Sequence, residues 1–265
     1  QVNDISDPAI VPNGFDTNHA GTIAAGQQAI FNLDAPAGLT VFFDSHIVAN
    51  SLRAELRDPQ NQPVFFSDDT TDRGPHVLQR GGTYTLTITG DTPASTGSYD
   101  FTMLDLINGG TALTAGTPVN GNLQTFEERV FTFAGIAGQT FFYDGLDTDF
   151  DNVSALLFTP SGVPLFTINS DANGGPITLT ESGDYRLLID NNLASTPDFS
   201  FRITTPTFTS ANLPFDTPIE DALTIPGDEK QYTFTGTVGQ RIFYDSLQSD
   251  FSVATRVQLV TPSGV

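Results

Sequence analysis

Residues 130–144, VFTFAGIAGQTFFYD, return at 231–245 as QYTFTGTVGQRIFYD and more loosely at 30–44 as IFNLDAPAGLTVFFD. Asp44, Asp144 and Asp245 close the three copies at a spacing of about 100 residues. The copies continue past this anchor in the same order. Asp58-Pro59-Gln60-Asn61-Gln62-Pro63 matches Thr159-Pro160-Ser161-Gly162-Val163-Pro164, and Thr261-Pro262-Ser263-Gly264-Val265 repeats TPSGV unchanged. Gly74-Pro75 matches Gly175-Pro176, GGTYTLTITG (81–90) matches SGDYRLLIDN (182–191), and Tyr99-Asp100-Phe101 matches Phe199-Ser200-Phe201. So many anchors in one order mark a tandem duplication.

The repeated unit reads as strands. Tyr84, Leu86 and Ile88 alternate with threonines, a period of two with one buried face. Phe131 and Phe133 alternate in the same way with Val130 and Thr132. The pattern predicts eight strands in the second copy, near 121–126, 129–134, 139–144, 153–159, 164–168, 176–180, 184–190 and 199–204. No segment keeps a helical apolar stripe over three turns. The expected fold is therefore all-β, a row of Greek-key or jelly-roll-like β-sandwich modules whose third member is incomplete at Val265. The boundaries follow from the repeat: an N-terminal segment 1–16, modules at 17–107 and 108–208, and the first half of a third at 209–265. The connections at 105–120 and 205–218 are short and rich in Gly, Thr and Pro, with Phe208, Leu213 and Phe215 available to pack. Such links suit a semi-rigid rod. Half a sandwich leaves open strand edges, so the third copy implies either continuation in a longer array or completion by another molecule.

Composition narrows the function. Over 265 residues the formal charge is −21, with 10 Lys and Arg against 31 Asp and Glu. Such a surface repels a phosphate backbone and anionic lipid, so neither nucleic acid nor membrane insertion is expected. Cysteine is absent, which removes disulfides, thiolate nucleophiles and Cys-based zinc sites.

The string F-x-F-x-G-x-x-G-Q-x-x-F-Y-D, followed by L-x-x-P-x-G and G-x-Y-x-L-x-I-D, resembles the bacterial pre-peptidase C-terminal-like domains. The resemblance spans most of residues 17–265. It implies β-sandwich modules, some of them calcium-binding, that accompany secreted enzymes or build surface arrays, and it supplies no catalytic residues.

Candidate chemistry is sparse. His19, His46 and His76 are the histidines, and none recurs between copies; His76, after Gly74-Pro75, is expected half-buried at a strand start. No HExxH, P-loop or GxSxG motif is present. Asp144 and Asp245, which end the repeated FYD, are expected to cap the turn after their strand. The loop Gly145–Asn152 places Asp147, Asp149, Asp151 and Asn152 where they read either as a solvated acidic turn or as hard oxygen ligands for Ca²⁺. A second cluster, Asp68-Asp69 with Asp72, has only Asp171 near it in the second copy. The expectation is a non-catalytic structural repeat of an extracellular bacterial surface protein, a stalk, adhesin or filament, that requires no cofactor. The alternative is a set of substrate-docking accessory modules of a secreted hydrolase, calcium-dependent if the Asp147 loop binds an ion. Partners would be further copies of the repeat or cell-surface polysaccharide.

Overall fold

The computed structural model describes residues 14–46, 51–68, 71–148, 153–247 and 256–261. Every regular element among them is a strand, and no helix is long and apolar enough to cross a membrane. The first sandwich consists of β1 (Asn18–Ile23), β2 (Gln28–Ala35), β3 (Thr40–Ser45), β4 (Leu52–Arg57), β5 (Pro63–Asp68), β6 (Arg73–Val77), β7 (Gly82–Gly90) and β8 (Gly97–Asp105). The second consists of β9 (Thr111–Ala112), β10 (Val119–Asn122), β11 (Glu128–Gly135), β12 (Thr140–Gly145), β13 (Ser154–Phe158), β14 (Pro164–Asn169), β15 (Gly174–Thr178), β16 (Gly183–Asp190) and β17 (Asp198–Thr204).

The duplication read from the sequence is present in the topology. The first sandwich has sheets ordered β1-β8-β3-β6 and β2-β7-β4-β5, all antiparallel. The second repeats both orders as β10-β17-β12-β15 and β14-β13-β16-β11, and adds the short parallel strand β9 beside β11. This is the jelly-roll arrangement, in which two four-stranded sheets enclose one core. Seven of the eight strands predicted in the second copy fall within about two residues of their observed bounds. The first differs: β10 ends at Asn122, and the chain then turns through Phe126, whose φ is +54°.

Repeated residues do the same work in both copies. Phe31, Phe43 and Phe101 in the first core, and Phe131, Tyr143 and Phe201 in the second, meet ring to ring inside their sandwiches. The turn after β4 needs a left-handed residue, supplied by Asn61 (φ +63°) in one copy and Gly162 (φ +85°) in the other. Asp58 Oδ1 accepts the amides of Gln60 and Gln62 across that turn, and Thr159 Oγ1 accepts the amide of Val163. Both glycine–proline pairs have cis peptide bonds.

Tyr84 and Tyr185 are fully buried, and each hydroxyl closes a local corner. Tyr84 Oη donates to Arg80 O at 2.8 Å and accepts the Arg80 amide at 3.2 Å; Tyr185 does the same with Glu181 at 2.9 and 3.1 Å. Removing either hydroxyl leaves a backbone donor and acceptor without that partner. Tyr185→Phe is therefore expected to cost about 1–3 kcal/mol in denaturant unfolding, with a similar loss for Tyr84→Phe. A loss within error of zero in both would mean that water replaces the corner bonds.

Both sandwiches lie in one compact unit together with Glu220–Lys230; Ser210–Ile219 and the residues from Gln231 onward form a second. Beyond Thr204 the described strands are β18 (Phe208–Asn212) and β19 (Glu229–Thr233). Phe208 and Phe215, expected to pack at a connection, are 60% and 45% exposed, Phe215 meeting Phe234 edge-on. The repeat at 234–245 carries no strand. In the complete copies its counterpart, β3 or β12, is held between two neighbours in its sheet, and the described residues beyond Thr233 supply neither.

In the first unit, Asp228 accepts amides from Thr207, Thr224 and Ile225, and these bonds lower its carboxyl to a pKa of about 2. Its contribution is present above the ordinary aspartate value and is lost as the pH falls through about 2. An NMR titration should place its midpoint there; a midpoint near 4 would mean that the turn does not form in solution.

Candidate functional site

The two sandwiches meet sheet against sheet. Along β3, Val41 and Phe43 point into the first core, so Phe42 and Asp44 point outward; along β8, Thr102 and Leu104 do the same. Along β16, Tyr185, Leu187 and Ile189 fill the second core, which turns Arg186, Leu188 and Asp190 out. These outward faces close on each other. Phe42, Leu104, Leu106, Phe158 and Leu188 form a separate buried cluster, flanked by Val130 and Leu156. The Phe42 and Phe158 rings lie 6.2 Å apart, and Arg186 Nε donates to Leu106 O.

At one end of this apolar patch the same rows of side chains become ionisable. Asp44, His46, Asp72 and Asp100 come from the first sandwich; Glu128 and Asp190, directly opposite each other on β11 and β16, come from the second. The His46 side chain is 2% exposed. Its Nε2 lies 3.1 Å from Asp44 Oδ2 and 2.9 Å from Glu128 Oε1, its Nδ1 lies 3.0 Å from Asp100 Oδ1, and its ring stacks on Phe126. Asp72 Oδ1 accepts the Ser45 amide at 2.8 Å, and Asp190 Oδ2 accepts Asn192 Nδ2 at 2.8 Å. A cleft of about 430 Å³, lined in part by Asp16, Asn18, His46, Phe126 and Glu128, opens beside the cluster.

Burial and mutual repulsion govern the charges. Burial lifts the Asp44 carboxyl well above its usual range despite the bond to His46. Burial, then the charges of Asp72 and Glu128, raise Asp190 to about 7. Burial alone would lower His46, but its bonds to Asp44 and Glu128 outweigh that and push it up to about 10. The imidazolium is thus a built-in countercharge amid five carboxyl groups, too few positive charges for the site.

The sequence readings fare unevenly here. Asp44, the matching acid of the first copy, turns Oδ2 to His46, and its Oδ1 has no hydrogen-bond partner among the described residues. Asp144, expected to cap its turn, instead accepts Arg202 Nε at 2.6 Å through Oδ2. The reason is strand alternation, which turns both acids onto the outer sheet face rather than along the chain. Of the Asp147, Asp149, Asp151 and Asn152 loop, Asp147 is half-buried with Oδ1 accepting the Thr148 amide; the other three lie outside the described residues. Asp72, from the weaker cluster, joins the junction, whereas Asp171 lies near Tyr143 in the second sandwich. Sequence reasoning misses His46, because no histidine recurs between copies and Leu146 stands at the matching place of the second. Its position two residues beyond an acid that ends a strand is the available signal. His76 is half-buried as expected and stacks on Phe65, but it is the fourth of the five residues of β6 and not at its start. His19 is buried against Phe31 and Phe101 with Nε2 3.2 Å from Gly14 O.

No family model and no curated protein matches the chain. Among solved structures it is similar to the CUB1-EGF-CUB2 domains of rat MASP-1, at 9% identity and a TM-score of 0.23 over 75% of this chain and 100% of that one. It is also similar to the extracellular region of zebrafish Gpr126/Adgrg6, at 8% identity and a TM-score of 0.24 over 76% and 37% of the two chains. The tail fiber protein gp63.1 of an E. coli phage matches at 8% identity and a TM-score of 0.26 over 71% and 38%. Similarity at this level carries no argument about role, and the functional reading rests on the chain's own geometry.

Proposed function

We propose that this chain is a non-catalytic structural repeat region of an extracellular bacterial surface protein, a stalk, adhesin or filament element. One observation carries the reading: the two complete modules are docked through a buried apolar face, Phe42, Leu104 and Leu106 against Phe158 and Leu188. A freely hinged accessory module needs no such face, whereas a load-bearing array needs each module held at a fixed angle to the next. The resemblance of the repeat to pre-peptidase C-terminal-like arrays, and a surface of net charge −21 that resists nonspecific association, favour the same reading.

The test combines scattering and binding. Small-angle scattering from the 265-residue chain should fit the two sandwiches in their docked arrangement. A panel of cell-surface polysaccharides in pull-down should retain none of it. Tight retention of one polymer, together with scattering that demands a freely moving pair, would replace this reading with that of docking modules.

A further inference from the structure

The repeat contains its own control for the junction cluster. In the second copy the outward acid of β12, Asp144, is neutralised by Arg202 on β17, its direct cross-strand partner. In the first copy the partner of Asp44 on β8 is Thr102, which carries no charge. Two neutral positions of the second copy are acids in the first. Asn173 Oδ1 accepts the Gly145 amide at 3.1 Å, and Asp72 makes the matching bond to Ser45; Ser200 corresponds to Asp100. The first copy has lost a guanidinium and gained carboxylates on the face that docks against Glu128 and Asp190.

The deficit has a definite location. Oxygen atoms of Asp44, Asp72 and Asp190 lie within 4.8 Å of one another. Asp44 and Asp190 are 0% and 3% exposed, and Oδ1 of each has no hydrogen-bond partner among the described residues. Buried carboxylate oxygens rarely go unpartnered, because each forfeits its hydration without compensation. From these facts we infer that Asp44, Asp72 and Asp190 bind a hard divalent cation of the calcium class, which joins the first sandwich to the second.

The chemistry of the donors selects the ion. The set is all oxygen, which suits Ca²⁺ or Mg²⁺ rather than zinc. Two oxygens on one Ca²⁺, each ~2.4 Å from it, can stand up to ~4.8 Å apart, whereas Mg²⁺ at ~2.1 Å draws them to ~4.2 Å or less. Oxygens that all lie within 4.8 Å of one another satisfy the calcium limit. Three carboxylates supply fewer than the six to eight ligands that Ca²⁺ takes, so bidentate binding and water must complete the set. The Asp44, His46 and Glu128 trio, also mutually close, is already joined by the two bonds of His46 Nε2. The inference stands on this geometry and not on the proposed structural role.

The 265-residue chain, freed of metal by chelation, should be melted and titrated calorimetrically with Ca²⁺, Mg²⁺ and Zn²⁺ in turn. Calcium is expected to raise Tm by about 5–10 °C at ~100-fold excess over Kd. Asp72→Asn copies the side chain that the second copy carries at this place, and Asp190→Asn retains an acceptor for Asn192. Both should fold, melt in chelator at or above the wild-type temperature, and lose the calcium shift. Three results would overturn the inference: no calcium shift in the wild type; a shift that survives in both variants, which would locate the ion elsewhere, such as the Asp147 loop; or a zinc shift abolished by His46→Gln and untouched by Asp190→Asn.

Discussion

Leu188→Asp should part the two sandwiches without unfolding either. Leu188 is fully buried, yet it belongs to the junction cluster and not to the second core, whose share of β16 is Tyr185, Leu187 and Ile189. A carboxylate there would face Phe42, Leu104 and Phe158, and it would sit on the same strand face as Asp190, across from the row that begins with Glu128. Retaining the docked state would mean burying an unpaired charge, at several kcal/mol. The chain has a cheaper outcome, which is to undock and let water reach residue 188, so the observed cost saturates at the docking free energy. Calorimetry should then show the two sandwiches melting apart, where docking in the wild type is expected to couple them, and the radius of gyration from scattering should rise. Leu188→Ala, which removes the methyl groups and adds no charge, should cost about 2–5 kcal/mol at most, the range for a buried leucine. A single transition and an unchanged radius of gyration in Leu188→Asp would show that the apolar junction does not hold the modules.

That junction is partly visible in the sequence. Half-buried strands alternate, as Thr83 to Thr89 does with Tyr84, Leu86 and Ile88. The strands that form the junction break the alternation: TVFFDS is buried at all six positions of β3, and β16 is buried at four consecutive positions, Leu187 to Asp190. A continuous apolar run marks a sheet covered on both faces, but β12 carries the same run, buried from Phe141 to Asp144, and lies outside the junction, so the run alone does not pick out the stacking faces. The partner face cannot be read in the same way, because alternation says that a side is covered and not by what. The acidic cluster is less legible still. Asp44 and Asp190 are far apart in sequence, and they meet only because two jelly rolls stack in one register; among 31 acids, no spacing rule singles them out. The spacing-based candidate, Asp147 to Asn152, draws on contiguity, which is the kind of evidence a sequence offers and not the kind this site uses. Comparison between the copies is the better guide, since the change from Arg202 to Thr102 and from Asn173 to Asp72 can be seen by alignment once the strands are paired.

Phe201→Ala should produce the largest loss within one sandwich. The ring is fully buried and lies 5.3 Å from both Phe131 and Tyr143 and 6.1 Å from Phe199, so its removal opens the centre of the second core. Buried Phe→Ala substitutions cost about 3–5 kcal/mol, made up of the lost transfer free energy and the cavity left behind. Against a total of about 5–15 kcal/mol for a typical domain, that is a large share. Collapse should relieve little of it, because Phe131, Tyr143 and Phe199 sit on three strands whose register is fixed by pairing across the sheets. The equivalent ring of the first copy, Phe101, is 5.1 Å from Phe31 and 5.2 Å from Phe43, and Phe101→Ala should cost a similar amount there. The pair of variants also measures how the modules are coupled. If docking makes the two sandwiches one cooperative unit, each substitution lowers the whole transition; if they melt separately, each moves only its own. Chemical denaturation followed by the fluorescence of tyrosines, which both cores contain, should give a loss of at least about 3 kcal/mol for Phe201→Ala. A loss below about 1 kcal/mol would mean that the second core repacks around the gap and that its ring-to-ring arrangement is not what stabilises it.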